Sequence, residues 1–331
     1  MEISVWQYFY YLNLLKINWF SWKRWSPNRF FFGIQNNHFV SKLLKKRKNE
    51  IHNIAMAEFE NSYSLNANNH KVSYTDEGKY GAPVIIFIHG FPFNKSMWNS
   101  QIESLTNFCR VIAYDIRGFG DSDNGREEFS IELFTKDLIS IMDALKIDKA
   151  ILCGLSMGGY IALNAIENYP ERFSTLILSD TSCKADTAEA IEKRIKAIEN
   201  IRLNGVEKYA DESIKKLFAP ESFTRKIEAI ASVREMIMNT SEKSLCNTLL
   251  ALSLRKQTCI SLCNIKVPVL LMVGMEDIIT PPVEGQFMHE NIKDSTLKII
   301  EKAGHLSNME NSEEFNYQLR RFVESVHQDS L

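Results

Sequence analysis

The sequence lacks any run of 18 apolar residues, which argues against a conventional membrane-spanning helix. It has no CxxC pair, no zinc-type Cys/His spacing, no glycine-rich phosphate loop and no dinucleotide fingerprint. Metal and organic cofactors are therefore not expected. Cysteine is sparse: Cys109, Cys153, Cys183, Cys246, Cys259 and Cys263 are scattered over 331 residues. That pattern is no disulfide framework, and a chain of this size does not need one. The expectation is six reduced thiols in a reducing, cytoplasmic compartment, with Cys153 a small core residue. No cleavable secretory signal is evident, so the N-x-S/T triplets at Asn94 and Asn239 carry little weight. Internal repeats and low-complexity tracts are also missing.

Acidic residues are scarce in one place only. Residues 1–55 hold nine Lys and Arg against Glu2 and Glu50, a net of +7, and contain no Asp or Cys but four of the five tryptophans. The remainder carries 30 basic and 39 acidic residues, a net of −9, so the overall −2 averages two unlike parts. A net −9 argues against a nucleic-acid surface. With 45% hydrophobic and 24% charged residues the chain is globular in composition, not disordered.

The head has three readings. Its near-continuous apolar stretch over 3–20, followed by KLLKKRK at 42–48, suits a membrane-surface anchor or a targeting segment. It also suits an ordered subdomain. The favoured reading is sequence lying ahead of a true start at Met56, where the pattern of a fresh domain begins. Membrane contact is expected only if residues 1–55 are expressed.

From residue 60 the pattern is regular. Residues 61–66 and 70–76 read as a hairpin turning at Asn68-Asn69. Short, unalternated apolar runs follow at 84–88, 111–114, 150–153, 173–178, 267–273 and 296–300, as expected of strands buried on both faces of a parallel sheet. Helical stripes lie between them. Ile131, Phe134, Leu138, Ile141 and Met142 form one, and Phe315, Leu319, Phe322 and Val323 another. The alternation predicts an α/β fold with a mostly parallel, eight-stranded sheet flanked by helices. Residues 184–262 break it with helical pattern alone, a helical insertion before the seventh strand. The expected organisation is a core of 56–183 and 263–331 with 184–262 as a cap.

The chemistry concentrates at strand ends. Gly154-Leu155-Ser156-Met157-Gly158 follows an apolar run and precedes a helical pattern, the setting of a serine nucleophile on a sharp strand-to-helix turn. A serine hydroxyl needs a base. Of seven histidines, only His89 and His305 fall in loops just after strands. His305, in Ala303-Gly304-His305, is the expected base. His89 and Gly90 are expected to support a loop whose Phe91 N–H, with Met157 N–H, would hold an oxyanion. Asp277, after the 267–273 strand, is the preferred partner for His305, with Asp180 and the adjacent Glu276 as rivals. Asp115, next to Arg117, reads as a local ion pair or turn residue.

The order Ser156, Asp277, His305 is that of the α/β-hydrolases, and the chain from about 60 to 327 resembles that family. HGFP at 89–92, DIRGFGDS at 115–122, GLSMGG at 154–159 and the late GMED and AGH carry the resemblance. HGFPFNKSMW at 89–98 and LSDTSCKADT at 178–187 resemble 3-oxoadipate enol-lactonases and related carboxylesterases. The resemblance implies a serine hydrolase acting on a small-molecule ester or lactone, without cofactor. It leaves open carbon–carbon bond hydrolases and cofactor-free perhydrolases or haloperoxidases on the same triad, and, from another class, a small-molecule receptor that keeps the hydrolase fold. A serine at the turn disfavours the dehalogenases and epoxide hydrolases of the fold, which carry aspartate there.

Overall fold

The computed structural model describes residues 62–328, and the readings of residues 1–55 lie outside them. Eight strands form one sheet: β1 (Ser62–Ala67), β2 (His70–Gly78), β3 (Val84–Ile88), β4 (Arg110–Tyr114), β5 (Ala150–Leu155), β6 (Phe173–Ser179), β7 (Val269–Gly274) and β8 (Ser295–Ile300). Their spatial order is β1-β2-β4-β3-β5-β6-β7-β8. The pairings of β2 with β1 and β4 are antiparallel and all others parallel. The β1–β2 turn falls at Asn68 and Asn69, both at positive φ (43° and 63°), as a two-residue hairpin loop requires.

The unalternated runs are buried on both sides because side chains alternate between the sheet's two faces. Ile86, Ile88, Leu152 and Leu176 pack into one core layer, and their neighbours Ile85, Phe87, Ile151 and Ile177 into the other. Helices α1 (Asn99–Leu105), α2 (Ile131–Ala144) and α3 (Met157–Asn168) precede β6. The α2 stripe begins where Ser130 caps the helix, its hydroxyl accepting from Leu133 N–H at 3.0 Å.

Between β6 and β7 the chain forms α4 (Ala188–Leu217), α5 (Ser222–Arg225), α6 (Ile227–Met238) and α7 (Glu242–Ser253). Helix α4 is broken at Gly205, where φ is 81°. After β7 come α8 (Pro282–Asn291), α9 (Ser307–Glu310) and α10 (Ser312–Gln328), and α10 buries Phe315, Leu319 and Val323. No described helix is long and apolar enough to cross a membrane.

The expectation of six free thiols is corrected. Cys183 and Cys259 form a disulfide, with Cα atoms 4.9 Å apart. Cys183 lies just beyond β6 and Cys259 just beyond the insertion's helices, so the bond ties together the two crossings between insertion and sheet. A hydrogen bond from Thr258 N–H to Cys183 C=O (2.8 Å) joins the same two segments beside the disulfide. The 76-residue separation hides the pairing in the sequence. Cys109, Cys153 and Cys246 are free and buried, and Cys263 is free and exposed. Closing so long a loop restricts the unfolded chain, so the Cys183→Ser, Cys259→Ser double variant should lose about 2–4 kcal/mol of stability. Urea denaturation of the two proteins, each with and without dithiothreitol, checks this; reductant should destabilise only the parent.

Candidate active site

The carboxyl ends of β5, β6, β7 and β8 converge on Ser156. This residue directly follows β5 and has φ 54° and ψ −112°, a left-handed backbone that only a tightly packed surround will hold in a non-glycine residue. The close packing needs glycine on either side. A Cβ on Gly154 would lie 2.2 Å from Gly158 C=O, and one on Gly158 would lie 2.2 Å from Ile88 C=O. The turn thus locks against β3, and α3 starts at Met157.

His305 arrives in the loop after β8 and Asp277 in the loop after β7. Ser156 Oγ is 2.9 Å from His305 Nε2, and His305 Nδ1 is 2.8 Å from Asp277 Oδ2. All three side chains are buried. Asp277 is held from behind: Oδ1 accepts from Ile279 N–H (2.7 Å) and Thr280 N–H (3.1 Å), and Oδ2 from Thr280 Oγ1 (2.7 Å). With Oδ2 an acceptor, His305 Nδ1 carries its proton toward Asp277, leaving Nε2 free to accept from Ser156.

The electrostatics follow from burial and partners. Burial alone would lower the His305 pKa, but the Asp277 carboxylate beside it, helped by Asp180 and Glu310, raises it above the usual 6.5. Burial would raise Asp277, yet the imidazole and its three other hydrogen bonds hold it below the ordinary carboxylate value.

Of the rivals, Glu276 is exposed. Asp180 is buried and engaged elsewhere, accepting from Gly274 N–H at 2.8 Å and from the Ser307 hydroxyl. Burial, then the charge of Asp277, pushes its pKa well up. Asp115 does not pair with Arg117. It accepts from Lys95 Nζ (2.7 Å), Lys95 N–H (2.8 Å) and Asp121 N–H (3.0 Å), while Arg117 makes a bidentate pair with Asp137.

His89 donates from Nδ1 to Gly90 C=O (2.8 Å) and accepts at Nε2 from Ile116 N–H (2.9 Å), bracing the loop after β3. Burial lowers its pKa to about 4, so it stays neutral. A Cβ on Gly90 would press on Leu155 at 3.1 Å. Phe91, Ser156, Met157 and His305 share one cavity of about 860 Å³, which Arg194, Leu249 and other residues of the insertion also line. A smaller cavity of about 250 Å³ beneath Cys259–Asn264 holds none of them. Among the described residues no group of three or more His, Cys, Asp or Glu side chains could hold a metal ion.

Sequence reasoning missed Thr280, Ser307 and Glu310, which brace Asp277, Asp180 and the His305 loop. Their only signal is position, two to five residues beyond an expected site residue.

A family model described as alpha/beta hydrolase fold matches residues 83–222. The 3-oxoadipate enol-lactonase 2 of Acinetobacter baylyi is 31% identical over 257 residues, which span 77% of this chain and 93% of the relative. A thermophilic esterase from Thermogutta terrifontis, solved with malate bound, is 32% identical with a TM-score of 0.76, covering 81% of this chain and 99% of its own. An enol-lactonase from Burkholderia xenovorans is 26% identical with a TM-score of 0.74, covering 79% and 100%. On this similarity, over nearly the full length of the relatives, the chain belongs to the α/β-hydrolase family.

Proposed function

We propose that the chain is a carboxylic ester hydrolase that cleaves a small-molecule ester or lactone through an acyl-enzyme intermediate. The observation that carries this is the unbroken line Ser156–His305–Asp277, whose Ser156 and His305 line the 860 Å³ cavity. His305 takes the Ser156 proton as Oγ attacks the carbonyl carbon. Asp277 fixes the imidazole tautomer and stabilises the imidazolium. The oxyanion is held by Phe91 and Met157 N–H groups, and His305 then protonates the leaving alkoxide. Water, deprotonated by His305, attacks the acyl carbon and releases the acid and Ser156. A relative that is an enol-lactonase and one that is an esterase support both ester and lactone as leaving-group geometries. The helices of residues 184–262 act as a cap that shapes the acyl pocket.

A panel of p-nitrophenyl esters and simple lactones tests the reading. Sustained turnover with stoichiometric acid release is expected on at least one member, and a protein that binds but never turns over would be a receptor instead. The pH profile adds a second check. The base works only when neutral, and its pKa is raised, so kcat/KM should climb with pH through a midpoint above 6.5. A midpoint below the ordinary histidine value would count against the His305–Asp277 pair as the controlling group.

A further inference from the structure

Glu310 closes α9 and is 2% exposed, yet it takes no part in the mechanism above. Its carboxylate bridges two parts of the molecule. Oε1 accepts from Gly304 N–H at 2.8 Å, the residue before His305. Oε2 accepts from Ala219 N–H (2.8 Å) and Ser222 Oγ (2.6 Å), at the end of α4 and the start of α5 in the insertion. Every partner is a donor, which suits an ionised carboxylate. The same stretch of the insertion touches the base loop directly: His305 N–H donates to Leu217 C=O at 2.9 Å. Packing leaves no slack. A Cβ on Gly304 would lie 2.7 Å from Ala219 N, and one on Gly274 would lie 2.0 Å from Gly304 C=O. The His305 loop is therefore gripped between the end of β7 and the Leu217–Ser222 segment.

We propose that Glu310 is a positioning residue that couples the seating of the cap to the alignment of His305, so that the base is in register with Ser156 only while Leu217–Ser222 is docked. This rests on His305 being the catalytic base. Lifting the segment would remove the acceptor of His305 N–H and two of the donors that fix Glu310, freeing the loop at both ends. Displacing the imidazole by about 1 Å is enough to cost ~10²-fold in rate.

The charges around both groups set the expected pH behaviour. His305 faces Asp277, Asp180 and Glu310, all of which favour the imidazolium. Beyond Glu310 lies a shallow cavity lined by Glu221, Arg225, Lys226 and Lys302. Glu310→Gln removes one negative charge behind His305 and sets an amide N–H against backbone donors. Glu310→Asp keeps the charge but is one methylene too short to reach both partners. Ser222→Ala removes only the cap-side hydroxyl.

The test is steady-state hydrolysis of p-nitrophenyl butyrate from pH 5 to 9 by the full chain and these three variants, with the rate of fluorophosphonate labelling of Ser156 as a measure of the attack step alone. Glu310→Gln is expected to lose roughly 10- to 100-fold in kcat with KM within about threefold, to label more slowly in proportion, and to move the acid limb to lower pH. Glu310→Asp should leave the limb in place while kcat stays low, and Ser222→Ala should lose several-fold in kcat. Parent-like kcat and acid limb in Glu310→Gln, or a loss confined to KM, would overturn the coupling. If Glu310→Gln does not fold, parent-like kcat in Ser222→Ala overturns it alone. If the parent neither turns over esters nor labels at Ser156, the hydrolase reading fails and the coupling falls with it; normal parent activity with an unaffected Glu310→Gln sinks the coupling only.

Discussion

The Ser156→Ala variant is expected to lose on the order of 10⁶-fold in kcat on any ester the parent hydrolyses, the loss seen when a triad acts as a unit. The fold should survive. Ser156 Oγ projects from a backbone fixed by Gly154 and Gly158 and bonds His305 Nε2, so its removal takes away one hydrogen bond and leaves the turn packing in place. The cost of the lost bond is about 1 kcal/mol, a shift of a few degrees in Tm by calorimetry. Alanine is as ill suited as serine to φ 54°, so backbone strain is unchanged. Loss of activity at near-parent Tm assigns the nucleophile. Undiminished turnover would mean that another group attacks the carbonyl.

Asp277→Asn should cost on the order of 10⁴-fold in kcat, the scale known for loss of the triad acid. The reason lies in the hydrogen bonds behind the residue. Ile279 and Thr280 N–H both donate to Oδ1, so an amide at this position keeps its oxygen there. Its NH₂ then faces His305 Nδ1, which must accept. The imidazole proton moves to Nε2, where it opposes the Ser156 hydroxyl instead of accepting from it. Whatever activity remains should show its acid limb at lower pH, because the charge that raised His305 is gone. Asp180→Asn should cost far less, since Gly274 and Ser307 occupy its carboxyl oxygens. Measuring both variants on one ester decides the acid: a larger loss in Asp180→Asn would transfer the role.

These expectations draw on residues that are unequally visible in the sequence. Ser156 stands out because local grammar marks it, a hydrophobic run leading into a serine with glycine two residues before and two after, and His305 because, with His89, it is one of two histidines in a loop just after a strand. The strands are legible for the same reason, since VIIFI at 84–88 has no polar face and can only be buried on both sides. Asp277 is less distinct. Asp180 has the same placement at a strand end, and only the Oδ2–Nδ1 distance of 2.8 Å separates the two. Glu310 and Thr280 are invisible because their roles depend on which donors the fold brings to them from 88 or more residues away or on a single loop's curvature. Cys183 and Cys259 misled for a similar reason. Sparse cysteines read as thiols when counted, and pairing across the insertion's neck is a property of the sheet, not of spacing. Arg117, two residues from Asp115 in the sequence, pairs instead with Asp137 of α2.

The bond at that neck also changes what the insertion is as a mechanical object. Without it, residues 184–258 would be an excursion held at its two ends only by the sheet. With it, they form a covalently closed ring whose ends cannot separate. The ring is also held at a point away from that bond, where Leu217 C=O accepts from His305 N–H and Ala219 N–H and Ser222 Oγ donate to Glu310. A chain broken anywhere within the ring would still be a single molecule.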